Sequence, residues 1–266
     1  DQRQAALQLP QENILYFLVK TAPRLEAWQR EALRITRLIA QYFYPQMQTK
    51  MMNEGAGCYV HYRIMTILHE RGRISDGAYM EFLQSHTNVV HQPLYDEPHY
   101  GGLNPYALGF GMMTDIARIC TAPTAEDREW FPDIAGSDDP DGVLKDIWAN
   151  YRDESFISQY LSPHMIRRLR LFHVVDQEDA PKLKIDAIHN ERGYRTIRRA
   201  LARQYDVGHQ EPDIQIVDVD LAGDRHLILH HNVANGIPLA EDDAGQVLQH
   251  LADLWGYDVC MEERDR

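Results

Sequence analysis

The sequence predicts an α+β protein, in which a mainly α-helical N-terminal region precedes a small ferredoxin-like domain with the element order βαββαβ. Apolar residues recur at spacings of three and four through the first part of the chain, which is the period of an α-helix. The polar, proline-terminated segment DQEDAP at 176–181 interrupts this pattern. Beyond it, apolar and polar residues alternate as they do in half-buried strands. We therefore expect two domains, 1–175 and 181–266.

Three helices are expected before the first long loop, at 24–44, 49–71 and 75–87. The first has one apolar stripe and an arginine-bearing solvated face, and Pro45 should close or kink it. The second contains Gly55 and Gly57, each of which weakens a helix by about 1 kcal/mol relative to alanine. Their presence indicates that another element packs close to this backbone. The third begins at Ser75, a favoured N-cap residue.

A long loop over 88–104 follows, rich in proline, glycine, histidine and aromatic residues. Loops of this length inside compact domains are usually functional or disordered, and the aromatic and histidine side chains favour an ordered one. Asn104 and Pro105 predict the start of a helix over 106–120. Short helices are expected after it, within 123–155 and at 156–159 and 164–172.

The C-terminal part contains the alternating segments that define the predicted domain. A turn at Gly223 and Asp224 joins two of them into a hairpin. The expected strands lie at 183–189, 214–221, 225–233 and 257–262. The expected helices lie at 191–205 and 241–255.

Composition excludes several classes of protein. The chain has 266 residues, with 27 Lys and Arg against 40 Asp and Glu and a formal net charge of −13, so its average field repels a polyanion and nucleic acid is not an expected partner. Three widely separated cysteines do not form a disulfide framework. No apolar run approaches the roughly 20 residues that span a bilayer. We therefore expect a soluble, cytoplasmic protein without a membrane partner.

Glu54 and His61 are the first candidates for chemistry. Seven residues are nearly two helical turns, so both side chains share a face but lie about 10.5 Å apart along the axis. One of these two side chains can bind an ion directly while the other supports that ligand from behind. Alternatively, Glu54 forms a surface ion pair and His61 is a core histidine. Cys58 follows Glu54 by four residues, a spacing that suits metal ligands but is more often packing.

Two further groups of side chains carry potential function. His86, His91 and His99 cluster on and before the long loop, near acidic residues, and imidazoles with carboxylates are what zinc and iron sites use. Their spacing matches no metal motif sharply. A row of arginines on the helix 191–205 is either a solvated face or a binding surface for phosphate, RNA or an acidic partner. Its members are Arg192, Arg195, Arg198, Arg199 and Arg203.

Long segments of the chain resemble the SpoVR family, named for a stage V sporulation protein. They include ENILYF, AQYFYPQMQTKMMNEG, EFLQSHTNVV, GGLNPYALGF, WFPDIAGSD, DESFISQYLSP and AIHNERGYR, and the resemblance covers essentially the whole chain. Members are typically near twice this length and carry an upstream His-rich motif of the type H-A-x-x-G-H-x-H. The resemblance therefore implies that this chain is a C-terminal portion lacking that region. It links the family to formation of the spore cortex.

Many members come from bacteria that do not sporulate, where the gene often neighbours a serine protein kinase and a von Willebrand-type domain protein. The resemblance therefore implies a second possible setting, a stress-related kinase module. In that reading the chain is a non-enzymatic adaptor or regulator with these two proteins as partners. The arginine row would then be its docking surface.

A second resemblance concerns the tripeptide Asn53-Glu54-Gly55, which is similar to the N-E-G of gluzincin-type zinc aminopeptidases. There the glutamate is the third zinc ligand beside two histidines, so the resemblance implies that Glu54 binds zinc or another divalent metal in the full-length protein. Ala56 and Val60 stand where that family generally has aromatic residues, which weakens any inference about substrate. The resulting hypothesis is a metal-dependent hydrolase. Its acid–base or supporting residues would be His61, His86, His91 and His99.

Overall fold

The structure, a computed structural model, describes residues 5–175, 184–233 and 238–265. It divides into two compact units, one formed by Asp1–Pro45 with Val207–Arg266 and the other by Gln46–Asp206. These units do not follow the predicted division into 1–175 and 181–266, because the N-terminal 45 residues group with the last 60. The predicted boundary segment 176–181 lies outside the described residues.

Helices account for most of the described chain. In order they are α1 (Ile14–Thr21), α2 (Ala27–Met47), α3 (Lys50–Glu70), α4 (Asp76–Val89), α5 (Pro105–Thr121), α6 (Ala125–Trp130), α7 (Pro140–Asn150), α8 (Asp153–Tyr160), α9 (Pro163–Arg168), α10 (Glu191–Gln204), α11 (Val207–Gln210) and α12 (Glu241–Trp255). The strands are β1 (His173–Val175), β2 (Lys184–Ala187), β3 (Asp213–Val219), β4 (Leu227–Val233) and β5 (Val259–Asp265). Within these residues, no helix combines the length and apolar character that a membrane crossing requires.

The core of the unit Gln46–Asp206 is organised by the crossing of α3 and α5. A Cβ atom added to Gly55 would lie 2.5 Å from the Cα of Gly109, and one added to Gly109 would lie 2.5 Å from the carbonyl oxygen of Met51. Main chain therefore meets main chain at this point. The expected close packing is confirmed at Gly55, whereas Gly57 faces open space.

The N-terminus of α3 is held by a carboxylate from a distant part of the chain. Asp153, the first residue of α8, accepts the backbone N–H groups of Met51 and Met52 at 2.8 and 2.9 Å. These are two of the N–H groups that a helix leaves without internal partners, and the positive end of the helix dipole also favours a carboxylate there. Burial raises the pKa of Asp153 to about 6, against the opposing effect of these two amides.

A second buried network joins α5, α6 and α9. The guanidinium of Arg118 binds both Asp115 and Asp127, with its shortest contact 2.6 Å from Asp127 Oδ2. Asp115 also accepts hydrogen bonds from the hydroxyl of Ser162 and from the ring of His164. Burial alone would raise the pKa of Asp127, but hydrogen bonds from Arg118 and Thr124 hold it well below its usual range.

The α+β class and the small C-terminal sheet are confirmed, but the ferredoxin-like strand order is not. Strand β2 pairs antiparallel with β1 in a two-stranded ribbon. The apolar face of α10, with Tyr194, Ile197 and Leu201, packs into the helical core, so this helix and ribbon belong to the unit Gln46–Asp206. Sequence reasoning missed β1 because three residues are too few to show a period of two.

The other unit contains the sheet with the order β3-β4-β5. Strands β3 and β4 form the expected antiparallel hairpin, and β5 lies parallel to β4. The helix α12 connects these two parallel strands, as such a crossover requires. Phe17 of α1 packs on Trp255 with ring centroids 5.7 Å apart, in the core between sheet and helices.

Helix α2 differs from the expectation in its end and in its exposure. It continues through Pro45 to Met47, so of the two expected effects of the proline, closing or kinking the helix, closing does not occur. Its apolar stripe is exposed to solvent, with Trp28 69%, Ile39 52% and Tyr42 67% accessible. This is therefore an amphipathic helix whose apolar face has little cover from the described residues.

Candidate functional site

Three helices bring the predicted Glu54 and two of the predicted histidines to one pocket. The pocket has a volume of about 220 Å³ and lies in the unit Gln46–Asp206. Helix α3 presents one face to it because residues three and four apart stack above each other. The lining side chains that carry polar groups are Glu54, Cys58, His61, Ser85, His86 and Tyr106.

The carboxylate of Glu54 is half-buried and bonded to a phenol. Tyr106 lies in the first turn of α5, after the Asn104 side chain caps the helix by accepting the Tyr106 N–H at 3.0 Å. The hydrogen bond to Glu54 raises the pKa of the Tyr106 hydroxyl, since the carboxylate favours the protonated phenol. Tyr106 therefore donates to Glu54 and restricts its orientation. Glu54 lines the pocket and is partly accessible to solvent.

His86 is the buried imidazole of the pocket. Its ring packs edge-on against Phe110, with centroids 4.7 Å apart, and lies 5.4 Å from Tyr62. Its Nε2 is buried without a hydrogen-bond partner among the described residues. Burial lowers the pKa of His86, and the neighbouring His61 lowers it further. The ring is therefore neutral at neutral pH, which is the form that binds metals.

His61 and Cys58 complete the polar lining with different properties. His61 is exposed and packs its ring against Phe82 at 4.9 Å between centroids. Burial raises the pKa of the Cys58 thiol, and the charge of Glu54 raises it further. Cys58 is therefore protonated at neutral pH and a weak ligand in this state.

The described residues of this pocket do not by themselves form a group that could hold a metal ion. Among the residues that the structure describes, the set of three His, Cys, Asp or Glu side chains with ligand atoms within 4.8 Å of one another is Asp220, Asp224 and His226, in the other unit. There Asp220 already accepts two turn amides, and Asp224 is bonded to His226. Glu54, His61 and His86 do not form such a set, so a metal at Glu54 needs further donors.

The two loop histidines lie elsewhere. His91 and His99 are exposed and do not line the pocket of Glu54. The loop itself is ordered by hydrogen bonds, since the side chain of Asn104 donates to the carbonyl oxygens of Val89 and His91 at 2.8 and 3.0 Å.

The arginine row divides into two groups. Arg198 is largely buried, donates to the carbonyl oxygen of Leu161 at 2.8 Å and lies 4.8 Å from the ring centroid of Trp130. Burial lowers its pKa to about 10. Arg195 also lies over Trp130, at 4.9 Å, but remains exposed. The exposed members at spacings of three and four are Arg192, Arg195, Arg199 and Arg203.

Sequence reasoning missed Tyr106 and Asp153. Tyr106 had a local signal, because the Asn-Pro start of α5 places the following residue in the first helical turn. Asp153 had none, because its partners lie about a hundred residues earlier in the chain.

Comparison with known proteins covers the whole chain. A family model described as SpoVR like protein matches residues 1–210, and a model described as SpoVR-like C-terminal domain matches residues 212–266. The chain is 53% identical over 258 residues to the "Uncharacterized protein YcgB" of Escherichia coli (strain K12). The match covers 96% of this chain and 50% of that protein, so the chain spans about half the length of its curated relative. No solved structure matches. The chain therefore belongs to the SpoVR family.

Proposed function

We propose that this chain contributes one wall of a metal-dependent hydrolase site, in which Glu54 binds zinc or another divalent cation. The observation that supports the proposal best is the convergence of Glu54, His61, His86 and Tyr106 on one pocket from three helices. Carboxylate and neutral imidazole are the ligands and acid–base groups that hydrolytic zinc sites use.

The remaining ligands would come from the half of the full-length protein that this chain does not span. A catalytic zinc site takes three protein ligands and keeps one position for water. Glu54 alone supplies one of them. The bound metal would lower the pKa of its water and polarise a substrate carbonyl.

The side chains of this chain have separate roles in the proposed site. Tyr106 fixes the orientation of the Glu54 carboxylate through its hydrogen bond, as groups around metal ligands commonly do. The exposed ring of His61, at the mouth of the pocket, accepts and returns a proton. His86 keeps a neutral ring nitrogen available behind it. A peptide of the cell wall or its precursor is the substrate class that a role in spore cortex formation implies.

The test measures metal content in the full-length protein. Zinc, iron and manganese per chain are determined by mass spectrometry for the wild type, for Glu54→Gln and for Glu70→Gln. Glu70 is the matched control because it ends the same helix and does not line the pocket. We expect about one metal per chain in the wild type and the control, and a loss in Glu54→Gln. Metal retained in Glu54→Gln, or absent from the wild type, would overturn the proposal.

A second candidate function is a cytoplasmic adaptor acting with a serine protein kinase and a von Willebrand-type domain partner. The exposed arginine face of α10 favours it, since a basic surface on a chain of net charge −13 can select an acidic partner. Replacement of Arg192, Arg199 and Arg203 by serine should abolish co-purification with the kinase while the far-ultraviolet circular dichroism stays unchanged. Undiminished co-purification would exclude this face as the docking surface.

A further inference from the structure

A larger cavity lies in the unit Gln46–Asp206 and shares no lining residue with the Glu54 pocket. Its volume is about 580 Å³, within the roughly 300–1,000 Å³ range of small-molecule sites. One wall is the long loop that follows α4, and the others are the segment 169–173 and helix α10. The sequence singled out this loop by its length, and neither function proposed above uses it.

The loop is a fixed wall because its own polar groups hold it. The side chain of Gln92 donates to the carbonyl oxygen of Gly102 at 3.2 Å and accepts the N–H of Asn104 at 2.7 Å. Tyr95 packs edge-on against Phe172, with centroids 5.1 Å apart, and against Tyr100 at 5.4 Å. The cavity is thereby bordered by three aromatic rings, with Tyr95 in contact with each of the other two.

Two opposite charges also line the cavity. Arg170 and Asp96 are both exposed, and among the described residues neither side chain has a hydrogen bond or an ion pair. Arg170 has a φ of +52°, a left-handed conformation that non-glycine residues rarely adopt and that often marks ligand sites. The ring of His173 lines the same cavity, with its Nδ1 buried, without a hydrogen bond and 3.8 Å from Asp186 Oδ2.

We propose that this cavity binds a small aromatic zwitterion of the amino-acid class. The rings of Tyr95, Tyr100 and Phe172 offer edge and face contacts to a planar aryl group. A carboxylate on the ligand pairs with Arg170, and an ammonium group pairs with Asp96. A ligand of one sign alone would leave the other charge of the wall without a partner.

The test compares three probes that share one ring system, using the 266-residue chain and isothermal titration calorimetry. L-tryptophan carries both charges, indole-3-propionate carries only the carboxylate, and tryptamine carries only the ammonium group. We expect tryptophan to bind at least about fivefold more tightly than either analogue, as one additional charge-assisted hydrogen bond implies. Equal or tighter binding of an analogue would overturn the proposal. Tryptophan binding that does not saturate below about 10 mM would also overturn it, because such a site should give a lower Kd.

Variants assign the charges to the two side chains. Arg170→Gln should remove the preference for tryptophan over tryptamine, and Asp96→Asn should remove the preference over indole-3-propionate. Arg168→Gln is the matched control, because Arg168 is an exposed arginine two residues away that does not line the cavity. Ala200→Trp should fill the cavity and abolish binding of every probe, with circular dichroism showing that the fold persists. An Arg168→Gln effect equal to that of Arg170→Gln, or binding that survives in a folded Ala200→Trp, would contradict the assignment.

Discussion

The carboxylate of Asp153 accepts the backbone N–H of Met51 at 2.8 Å, across 102 residues of sequence. Met51 is in the first turn of α3, the helix that carries Glu54, Cys58 and His61. The start of that helix, and with it the position of the candidate site, therefore depends on a side chain from α8.

Replacement of Asp153 by alanine should lower the free energy of unfolding by about 1–3 kcal/mol, because it leaves the buried amides of Met51 and Met52 without their acceptor. Urea denaturation measures the change. Glu154→Ala is the control, since Glu154 has no hydrogen bond to these amides, and it should stay within about 0.5 kcal/mol of the wild type. Equal effects of the two substitutions would exclude the capping role.

The same carboxyl should make stability depend on pH. Its pKa of about 6 in the folded state lies above the ordinary aspartate value of 3.8, so the folded state binds the proton more tightly than the unfolded state does. The contribution of the protonated Asp153 carboxyl to the free energy of unfolding is therefore fully present below about pH 4. It is lost as the pH rises through about 6, by about 1–3 kcal/mol in all. Urea midpoints of the wild type and Asp153→Asn at pH 4.5 and 6.5 measure it. The difference in urea midpoint between the two proteins should change between these pH values. An unchanged difference would contradict the raised pKa of Asp153.

Gly55→Ala should be strongly destabilising. The added methyl group would meet the main chain of Gly109, which cannot move aside as a flexible side chain can, and we expect a loss of about 2–4 kcal/mol. Gly57→Ala in the same helix enters open space and should be neutral or stabilising by up to about 1 kcal/mol. Thermal unfolding of both variants distinguishes the positions. A mild effect of Gly55→Ala would show that the helices cross less closely.

Arg118→Ala should lower the free energy of unfolding by about 3–5 kcal/mol, since it leaves the buried carboxylates of Asp115 and Asp127 without the guanidinium that pairs with them. The loss of stability caused by Arg118→Ala should be smaller in acid. The pKa of Asp127 is lower in the folded than in the unfolded state, so its ionised carboxylate stabilises the fold above the unfolded pKa, and this stabilisation is lost as the pH falls. Arg128→Ala, on the exposed side of α6, is the control. Denaturation at pH 7 and pH 3 measures both variants, and a pH-independent loss would argue against the ion pair.

Tyr106→Phe should weaken metal retention in the full-length protein by about 10–100-fold without unfolding it, because the phenol orients Glu54 and does not bind the metal itself. Dialysis against graded chelator concentrations measures the effect. Glu54→Gln should lose the metal altogether. If Tyr106→Phe retains metal as the wild type does, the hydrogen bond to Glu54 has no orienting role.

The parts of the fold that depend on local signals were predictable. Ser75 and Asn104 cap their helices as their residue types indicate, and the hairpin forms at its expected turn. Glu54 and His61 share a face because helical geometry alone requires it. The meeting of His86 and Tyr106 with them depends on how three helices pack, which no spacing within one helix specifies.

The errors also have physical causes. The ribbon of β1 and β2 and the burial of Arg198 both depend on α10 packing into the helical core. A row of arginines has the same appearance in sequence whether one member lies over a tryptophan ring or all face water. Helix α2 is amphipathic as predicted, yet the sequence pattern does not say whether another element covers its apolar stripe.

The contact between Gly55 and Gly109 has a consequence for any attempt to redesign this protein. Where two side chains collide, shortening one repairs the damage done by enlarging the other, but here neither residue has anything left to shorten. A second-site suppressor of a lesion at Gly55 must therefore shift a whole helix. Such a shift would draw the carboxylate beside Gly55 away from its phenol partner on the opposite helix, so stability regained in this way would come at the expense of the pocket.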